Sequence, residues 1–186
     1  MAFILSGTSV VSYAEAADVR DKDQRLFEAN EISFADAPDA PPTLDDYIED
    51  LTAKATGRIN QKIRASDAWR KYCYDVGIDY SISDTIPAFN PNLILSRKSD
   101  FTDMCCYFTL YSYLLPKIAD FGNPESPEVQ KIQFYEVRFN DLFTELTSMW
   151  DWYDADASGA VDTSEKVIRF QQTRRSRGRR NIVRVN

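Results

Sequence analysis

The stretch FTDMCCYFTLYSYLL, residues 101–115, decides the fold of this chain. From its fourth position onward, apolar side chains occupy nearly every face of a helical wheel, which is typical of a helix enclosed by other elements. We expect Ser99 or Asp100 to cap its start, and the sequence GNP at residues 122–124 to end it. Pro116 should kink the helix or lie where its missing N–H is tolerated.

Two further helices should pack against this central one, because each has an apolar stripe. Thr43 and Asp46 make a start that resembles a capping box, and this helix should reach about Trp69 or Cys73. Ser126 should cap the other helix. The apolar positions recur at three- and four-residue steps: Leu44, Tyr47, Ile48, Leu51, Ala55, Ile59 and Ile63 in the first, and Val129, Ile132, Tyr135, Phe139, Leu142, Phe143, Leu146 and Met149 in the second.

The remaining segments are less periodic. Residues 12–29 are rich in helix formers and predict a first helix, with Ser12 as its N-cap. Three prolines at residues 35–42 prevent that helix from continuing. Residues 75–98 lose periodicity and predict a long loop or a small hairpin. Two short runs in it are compatible with strands: Tyr80–Ile82 and Leu93–Leu95.

These patterns predict a mainly α fold: a helical bundle of about four helices, with a long middle loop or small hairpin and an extended basic C-terminal arm. With 186 residues, the chain is long enough to bury one sizeable core without disulfides or a structural metal. We expect residues 1–165 to form the helical domain, including an acidic loop at residues 154–165, and residues 166–186 to form the basic arm.

The chain contains no histidine, and this absence excludes several kinds of active site. A Ser-His-Asp or Cys-His nucleophile system, a histidine general base and a histidine-ligated zinc cannot be built. A hydrolase based on paired carboxylates stays open, but no motif beyond the general abundance of Asp and Glu supports it. On a helix, the run Asp45, Asp46, Glu49 and Asp50 is typical of a solvated face. The residues therefore favour a binding or structural role over catalysis.

The cysteines and the apolar runs allow predictions about core packing, membrane spans and a signal peptide. Cys105 and Cys106 lie in the most apolar segment, so we expect them to pack in the core rather than form a redox pair. No run of 18 apolar residues occurs, so we expect no membrane span. The opening residues lack a basic n-region and have an interrupted apolar stretch, which disfavours a signal peptide.

The segment DADASGAVDTSE, residues 154–165, has the ligand spacing of a calcium loop. Gly159 occupies the turn position of such a loop, and Val161 occupies its hydrophobic position. The proposed ligands are Asp154, Asp156, Ser158, the carbonyl of Ala160, Asp162 and Glu165. The alternative is an acidic, solvated turn. In either case the neighbouring carboxylates should repel one another unless a cation or an arginine compensates them.

The formal charge of −7 is divided unevenly along the chain. Residues 166–186 carry eight basic side chains and no acidic one, whereas the rest of the chain has 14 basic and 29 acidic side chains. We expect the arm to bind a partner, either another acidic protein or the acidic body of a neighbouring copy. Nucleic-acid contact and a solvated tail are the alternatives. The candidate binding residues are Arg174, Arg175, Arg177, Arg179, Arg180 and Arg184.

Aromatic residues make up 13% of the chain, which is enough to suggest interfacial as well as core surface. Trp150, Trp152 and Tyr153 directly precede the acidic loop. They are expected either to anchor the end of the last helix in the core or to face a neighbouring subunit.

Four segments of this sequence resemble the head-tail connector (neck or adaptor) proteins of tailed bacteriophages. They are VRDKDQRLFEAN (Val19–Asn30), RASDAW (Arg64–Trp69), RKSDFTDMCCYFTLYSYLLPKIADFG (Arg97–Gly122) and DWYDADASG (Asp151–Gly159). The resemblance implies a structural virion protein without enzymatic activity. It would be made in the host cytoplasm and placed in the neck, between capsid and tail.

The resemblance also implies partners. In that family a small helical subunit forms a ring, typically a dodecamer, below the portal protein, and it continues the channel through which DNA passes without sequence-specific binding. A downstream neck or tail protein joins the other side, and a C-terminal arm commonly reaches toward the portal. The alternative function is a calcium-binding helical interaction module that uses the loop at residues 154–165.

Overall fold

The computed structural model describes residues 3–28, 43–77, 88–123 and 125–161. The fold of this part is mainly α, as predicted, with six α-helices and one two-stranded sheet. The four predicted helices are present, and the first two of them are each divided into two.

The N-terminal residues form a β-hairpin that was not predicted. Strands β1 (Ile4–Ser6) and β2 (Ser9–Ser12) pair antiparallel, and Gly7 occupies the turn with a φ of 64°. A positive φ is inexpensive for glycine, so Gly7 and Thr8, which interrupt the apolar stretch, form a turn between two strands. The hairpin packs on the second predicted helix through β2.

The first predicted helix starts later than expected and is interrupted. It consists of α1 (Ala16–Lys22) and α2 (Gln24–Glu28). Ser12 is not its N-cap, because the Ser12 hydroxyl donates to the carbonyl of Ala14 while Glu15 and Asp18 form the capping box. Asp23 separates the two helices, with its buried carboxylate 2.8 Å from the ammonium group of Lys131.

The second predicted helix consists of α3 (Leu44–Ala65) and α4 (Asp67–Asp75). Thr43 caps α3 as predicted, because its side chain accepts a hydrogen bond from the backbone N–H of Asp46. Ser66 ends α3 and starts α4: its hydroxyl donates to the carbonyl of Ile63 and accepts from the N–H of Trp69. The chain therefore changes direction at a residue that serves as a cap for both helices.

The described end of the middle segment is bound to the residues that precede the acidic loop. A 3-10 turn at Pro91–Leu93 leads to Ile94, which forms a bridge with Tyr153. The extended piece predicted at Leu93–Leu95 is therefore partly confirmed, and the one at Tyr80–Ile82 lies outside the described residues.

The central helix α5 (Lys98–Thr109) continues as a π-helical turn (Leu110–Leu114) and a 3-10 turn (Leu115–Lys117). Neither Ser99 nor Asp100 is its N-cap, because Arg97 holds that position with a φ of 55°. The helix also ends at residue 117 instead of continuing to the GNP sequence. The change of helix type just before Pro116 agrees with the predicted disturbance by proline.

Helix α6 (Pro127–Met149) begins at its predicted cap, Ser126, whose side chain accepts from the N–H of Val129. The core lies where α5 packs against α1, α3 and α6, and both Cys105 and Cys106 are fully buried in it. The core position predicted for the two cysteines is therefore confirmed. Among the described residues, no helix is long and apolar enough to cross a membrane.

Candidate functional site: the acidic loop and the acidic groove

Six buried rings hold the residues that lead into the acidic loop. We call them the aromatic cluster: Trp69, Tyr72, Phe89, Trp150, Trp152 and Tyr153. Trp150 stacks on Tyr72 at a centroid distance of 4.4 Å, and Trp152 stacks on Trp150 at 5.0 Å. Of the two predicted roles for the tryptophans, the structure shows the first, which is to anchor the end of α6 in the core.

Three polar side chains of this cluster form hydrogen bonds within the chain. The indole N–H of Trp152 donates to the carbonyl of Leu146 at 2.9 Å, and the Tyr72 hydroxyl donates to the carbonyl of Tyr153 at 3.3 Å. The Tyr153 hydroxyl accepts from the N–H of Asn90. Burial raises the pKa of Tyr153 to about 12, because the phenolate would lose its hydration there.

The first half of the acidic loop closes on the buried carboxylate of Asp154. Its Oδ1 accepts from the N–H of Ser158 at 3.1 Å, and its Oδ2 accepts from the N–H of Gly159 at 2.8 Å. Gly159 has a φ of 91°, which is the sharp turn that a calcium loop requires at its sixth position. The backbone amides thus supply part of the positive compensation that the sequence led us to expect from a cation or an arginine.

The other predicted ligands are only partly accounted for. Asp156 is exposed to solvent, and hydrogen bonding to Ser158 lowers the pKa of this carboxyl. The carbonyl of Ala160 accepts from the Ser158 hydroxyl at 3.1 Å. Asp162 and Glu165 lie outside the described residues. Within the part of the chain that is described, no group of three or more Asp, Glu, Cys or His side chains is placed to hold a metal ion.

Arg97 is a residue of this region that sequence reasoning missed. Its guanidinium contacts the carboxylates of Asp100 at 2.6 Å, Glu145, and Asp151 at 3.8 Å. These contacts join the start of α5 to the end of α6 and to the residues before the acidic loop. The sequence signal was weak, since two of the three partners lie about 50 residues away.

Burial explains the chemical state of the cysteines. Loss of hydration raises the pKa of Cys105 to about 11, and it raises the pKa of Cys106 further still. The thiol of Cys105 lies 3.5 Å from the carbonyl oxygen of Thr52 and 3.6 Å from the hydroxyl of Thr56. Thiols of this kind are poor nucleophiles at neutral pH.

The carboxylates of α3 form one wall of a shallow groove beside the hairpin. We call it the acidic groove; its volume is about 290 Å³ and its lining residues are Ile4, Val11, Ser12, Asp46, Glu49, Asp50 and Ala53. As predicted for a solvated face, the three carboxylates are exposed while Ile48 on the opposite side is buried. Glu49 also borders an adjoining groove with Glu15, Asp21 and Asp45, where Arg20 pairs with Asp45. The acidic surface therefore extends from the hairpin to α1.

Large apolar side chains are exposed elsewhere on the surface. On α6, Phe134 and Val137 are 52% and 58% exposed and lie on one face, three residues apart. Tyr74, at the end of α4, is 78% exposed. The candidate binding residues of the arm lie outside the described residues: Arg174, Arg175, Arg177, Arg179, Arg180 and Arg184.

Comparison of the chain with family models, with curated proteins and with solved structures finds no match.

Proposed function

We propose that this protein is a structural assembly subunit that acts through protein interfaces and resembles the head-tail connectors of tailed phages. The observation that carries the proposal is the pair of exposed apolar side chains on α6, Phe134 and Val137, on a chain whose first 165 residues are strongly acidic. Adjacent exposed apolar side chains on a long helix are suited to repeated contacts between subunits. The protein performs no catalysis in this role.

In the proposed assembly, copies form a ring, typically a dodecamer, in the neck of the virion. The portal protein binds one side of the ring and a downstream neck or tail protein binds the other. The net negative charge of residues 1–165 supports passage of DNA, because carboxylates repel phosphates and would reduce adhesion to a channel wall. The arginines of residues 174–184 supply contacts to protein partners, which are the portal and the neighbouring copies.

The test is assembly of the purified full chain, followed by electron microscopy and sedimentation. We expect ring-shaped particles, and we expect Phe134→Ser combined with Val137→Ser to shift the distribution toward monomers. Tyr74→Ser is the matched control, because it removes an exposed aromatic side chain on another helix. A monomer at every concentration that also fails to bind a portal protein would refute the proposal.

Calcium binding by residues 154–165 is a second candidate function. The turn at Gly159 and the buried carboxylate of Asp154 favour it, because a calcium loop needs both at these positions. Calorimetric titration of the full chain should give saturable binding at or below millimolar calcium, together with a higher melting temperature. Asp156→Asn should weaken that binding, whereas Asp141→Asn on α6 should not. Absence of both heat and melting shift would refute this function.

A further inference from the structure

We infer that the acidic groove of one copy receives the arginine-rich C-terminal segment, residues 177–186, of a neighbouring copy. This inference rests on the proposed function in one respect, since it names a contact through which copies would join.

The groove offers an apolar floor and an acidic wall. Val11 of the hairpin is 41% exposed, and together with Ile4 and Ala53 it gives the groove its apolar surface. Glu49 and Asp50 have no ion-pair partner among the described residues, and no residue that lines the groove is basic. The groove therefore presents negative charge that the described part of the chain does not neutralise.

The C-terminal segment has the complementary pattern. Its sequence RGRRNIVRVN contains four arginines, three β-branched apolar residues and no acidic side chain. In an extended chain alternate side chains share a face, so Arg180, Ile182 and Arg184 would lie on one side. An apolar side chain between two arginines matches an apolar floor beside carboxylates, and each guanidinium can bind a carboxylate in a bidentate manner.

The charge of the acidic groove also excludes nucleic acid as its occupant. Nucleic acid carries phosphates, which the carboxylates of the groove repel, so a basic peptide is the occupant that the electrostatics favour. The arm provides such a peptide at the same concentration as the groove, since every copy carries both.

A contact between a groove and an arm joins two different surfaces, and contacts of this kind generate rings when the rotation between copies closes. Residues 162–176 separate the last described residue from the segment, and fifteen residues can extend up to about 50 Å. That length is sufficient to reach an adjacent copy. The inferred contact therefore agrees with the ring geometry of the proposed function.

The experiment places a photo-reactive phenylalanine analogue at position 11 of the full chain and irradiates a mixture of isotope-labelled and unlabelled copies. We expect mass spectrometry to find cross-links from position 11 to residues 177–186, in pairs that combine labelled with unlabelled chains. The same analogue at position 74, which is also exposed, is the control and should not capture this segment.

Charge reversal provides a second, independent test. Glu49→Lys with Asp50→Lys should lower the yield of the cross-link about tenfold, because repulsion replaces attraction at the groove. Copies carrying Arg180→Glu and Arg184→Glu should restore the yield when mixed with these variants. Circular dichroism confirms that each variant keeps its helical content.

The outcomes separate this inference from the proposed function. Assembly without capture of residues 177–186, capture only within one chain, or failure of the charge swap to restore the yield would overturn the inference and leave the assembly role intact. A full chain that stays monomeric and binds no portal protein would overturn both.

Discussion

The aromatic cluster and the acidic groove differ in how their polar groups are satisfied. In the cluster, the polar atoms of Trp152, Tyr72 and Tyr153 all find hydrogen-bond partners in the same chain, and the rings are buried. In the groove, Glu49 and Asp50 face solvent and have no ion-pair partner within the described residues. A region whose polar groups form hydrogen bonds within the chain contributes to stability. A region with unpaired charges is available to bind a partner.

The largest effect should come from removing a ring of the aromatic cluster. Trp69 is 1% exposed and contacts Tyr72, Phe89, Trp150 and Tyr153, so Trp69→Ala leaves a cavity. We expect a loss of about 3 to 5 kcal/mol in the free energy of unfolding, measured by denaturant titration. Tyr74→Ala, on the same helix but exposed, should cost less than about 1 kcal/mol. Equal losses in the two variants would break the contrast between buried and exposed aromatic residues.

The parts of the fold that sequence could predict are those fixed by local chemistry. The starts of α3 and α6 follow from Thr43 and Ser126, because an N-cap bonds to an amide three residues away. The break at Asp23 and the cap at Arg97 depend on partners that are distant in the chain, such as Lys131 and Glu145. No local pattern reports such partners, so these two boundaries were predicted wrongly.

The candidate site divides in the same way. The turn at Gly159 could be expected from the spacing of the acidic loop, because a glycine at that position supplies a positive φ. The use of Asp154 as an acceptor for two backbone amides was not expected, since it depends on the burial that the aromatic cluster imposes. The acidic groove could not be predicted from the sequence, because it lies between α3 and the hairpin, which was not predicted.

A second prediction compares the two buried cysteines of α5. Cys106→Ser should lower the free energy of unfolding by about 1 to 3 kcal/mol, because the new hydroxyl is buried where Cys106 has no hydrogen-bond partner among the described residues. Cys105→Ser should cost less, since the carbonyl of Thr52 and the hydroxyl of Thr56 lie beside that thiol. The measurement is thermal or denaturant unfolding of both variants. A larger loss for Cys105→Ser, or assembly that responds to reducing agents, would contradict this core assignment.

A third prediction concerns alkaline pH. The pKa of Tyr153 in the folded protein is about 12, above the ordinary value, so its contribution to stability is full below about pH 10 and is lost as the pH rises toward 12. Cys105, with a pKa of about 11, loses its contribution between about pH 9 and 11. We expect unfolding free energy to decline by about 2 kcal/mol over this range through Tyr153 alone. Tyr153→Phe should flatten the upper part of the decline; an unchanged slope would exclude burial of Tyr153 as its cause.

The smallest effect on stability should come from the acidic groove, and its sign is informative. Glu49 lies four residues after Asp45, and Asp50 lies four residues after Asp46, so both form like-charge pairs on α3, while Lys54, four residues after Asp50, offsets the second pair by attraction. Such pairs destabilise a helix by about 0.2 to 0.5 kcal/mol each, while the helix dipole offers little compensation beyond the first turn. Glu49→Gln with Asp50→Gln should therefore raise the free energy of unfolding by up to about 0.5 kcal/mol at low salt, and less at high salt.

The measurement is denaturant unfolding of the full chain at low protein concentration, where contacts between copies are absent. Lys54→Gln is the comparison of opposite sign, because it removes the positive charge four residues after Asp50 and should lower the free energy of unfolding. A gain in stability that accompanies a loss of assembly would mean that these carboxylates serve a contact outside their own chain. A loss of stability in the monomer would mean instead that Glu49 and Asp50 are neutralised within the chain, and the contrast between the groove and the aromatic cluster would then disappear.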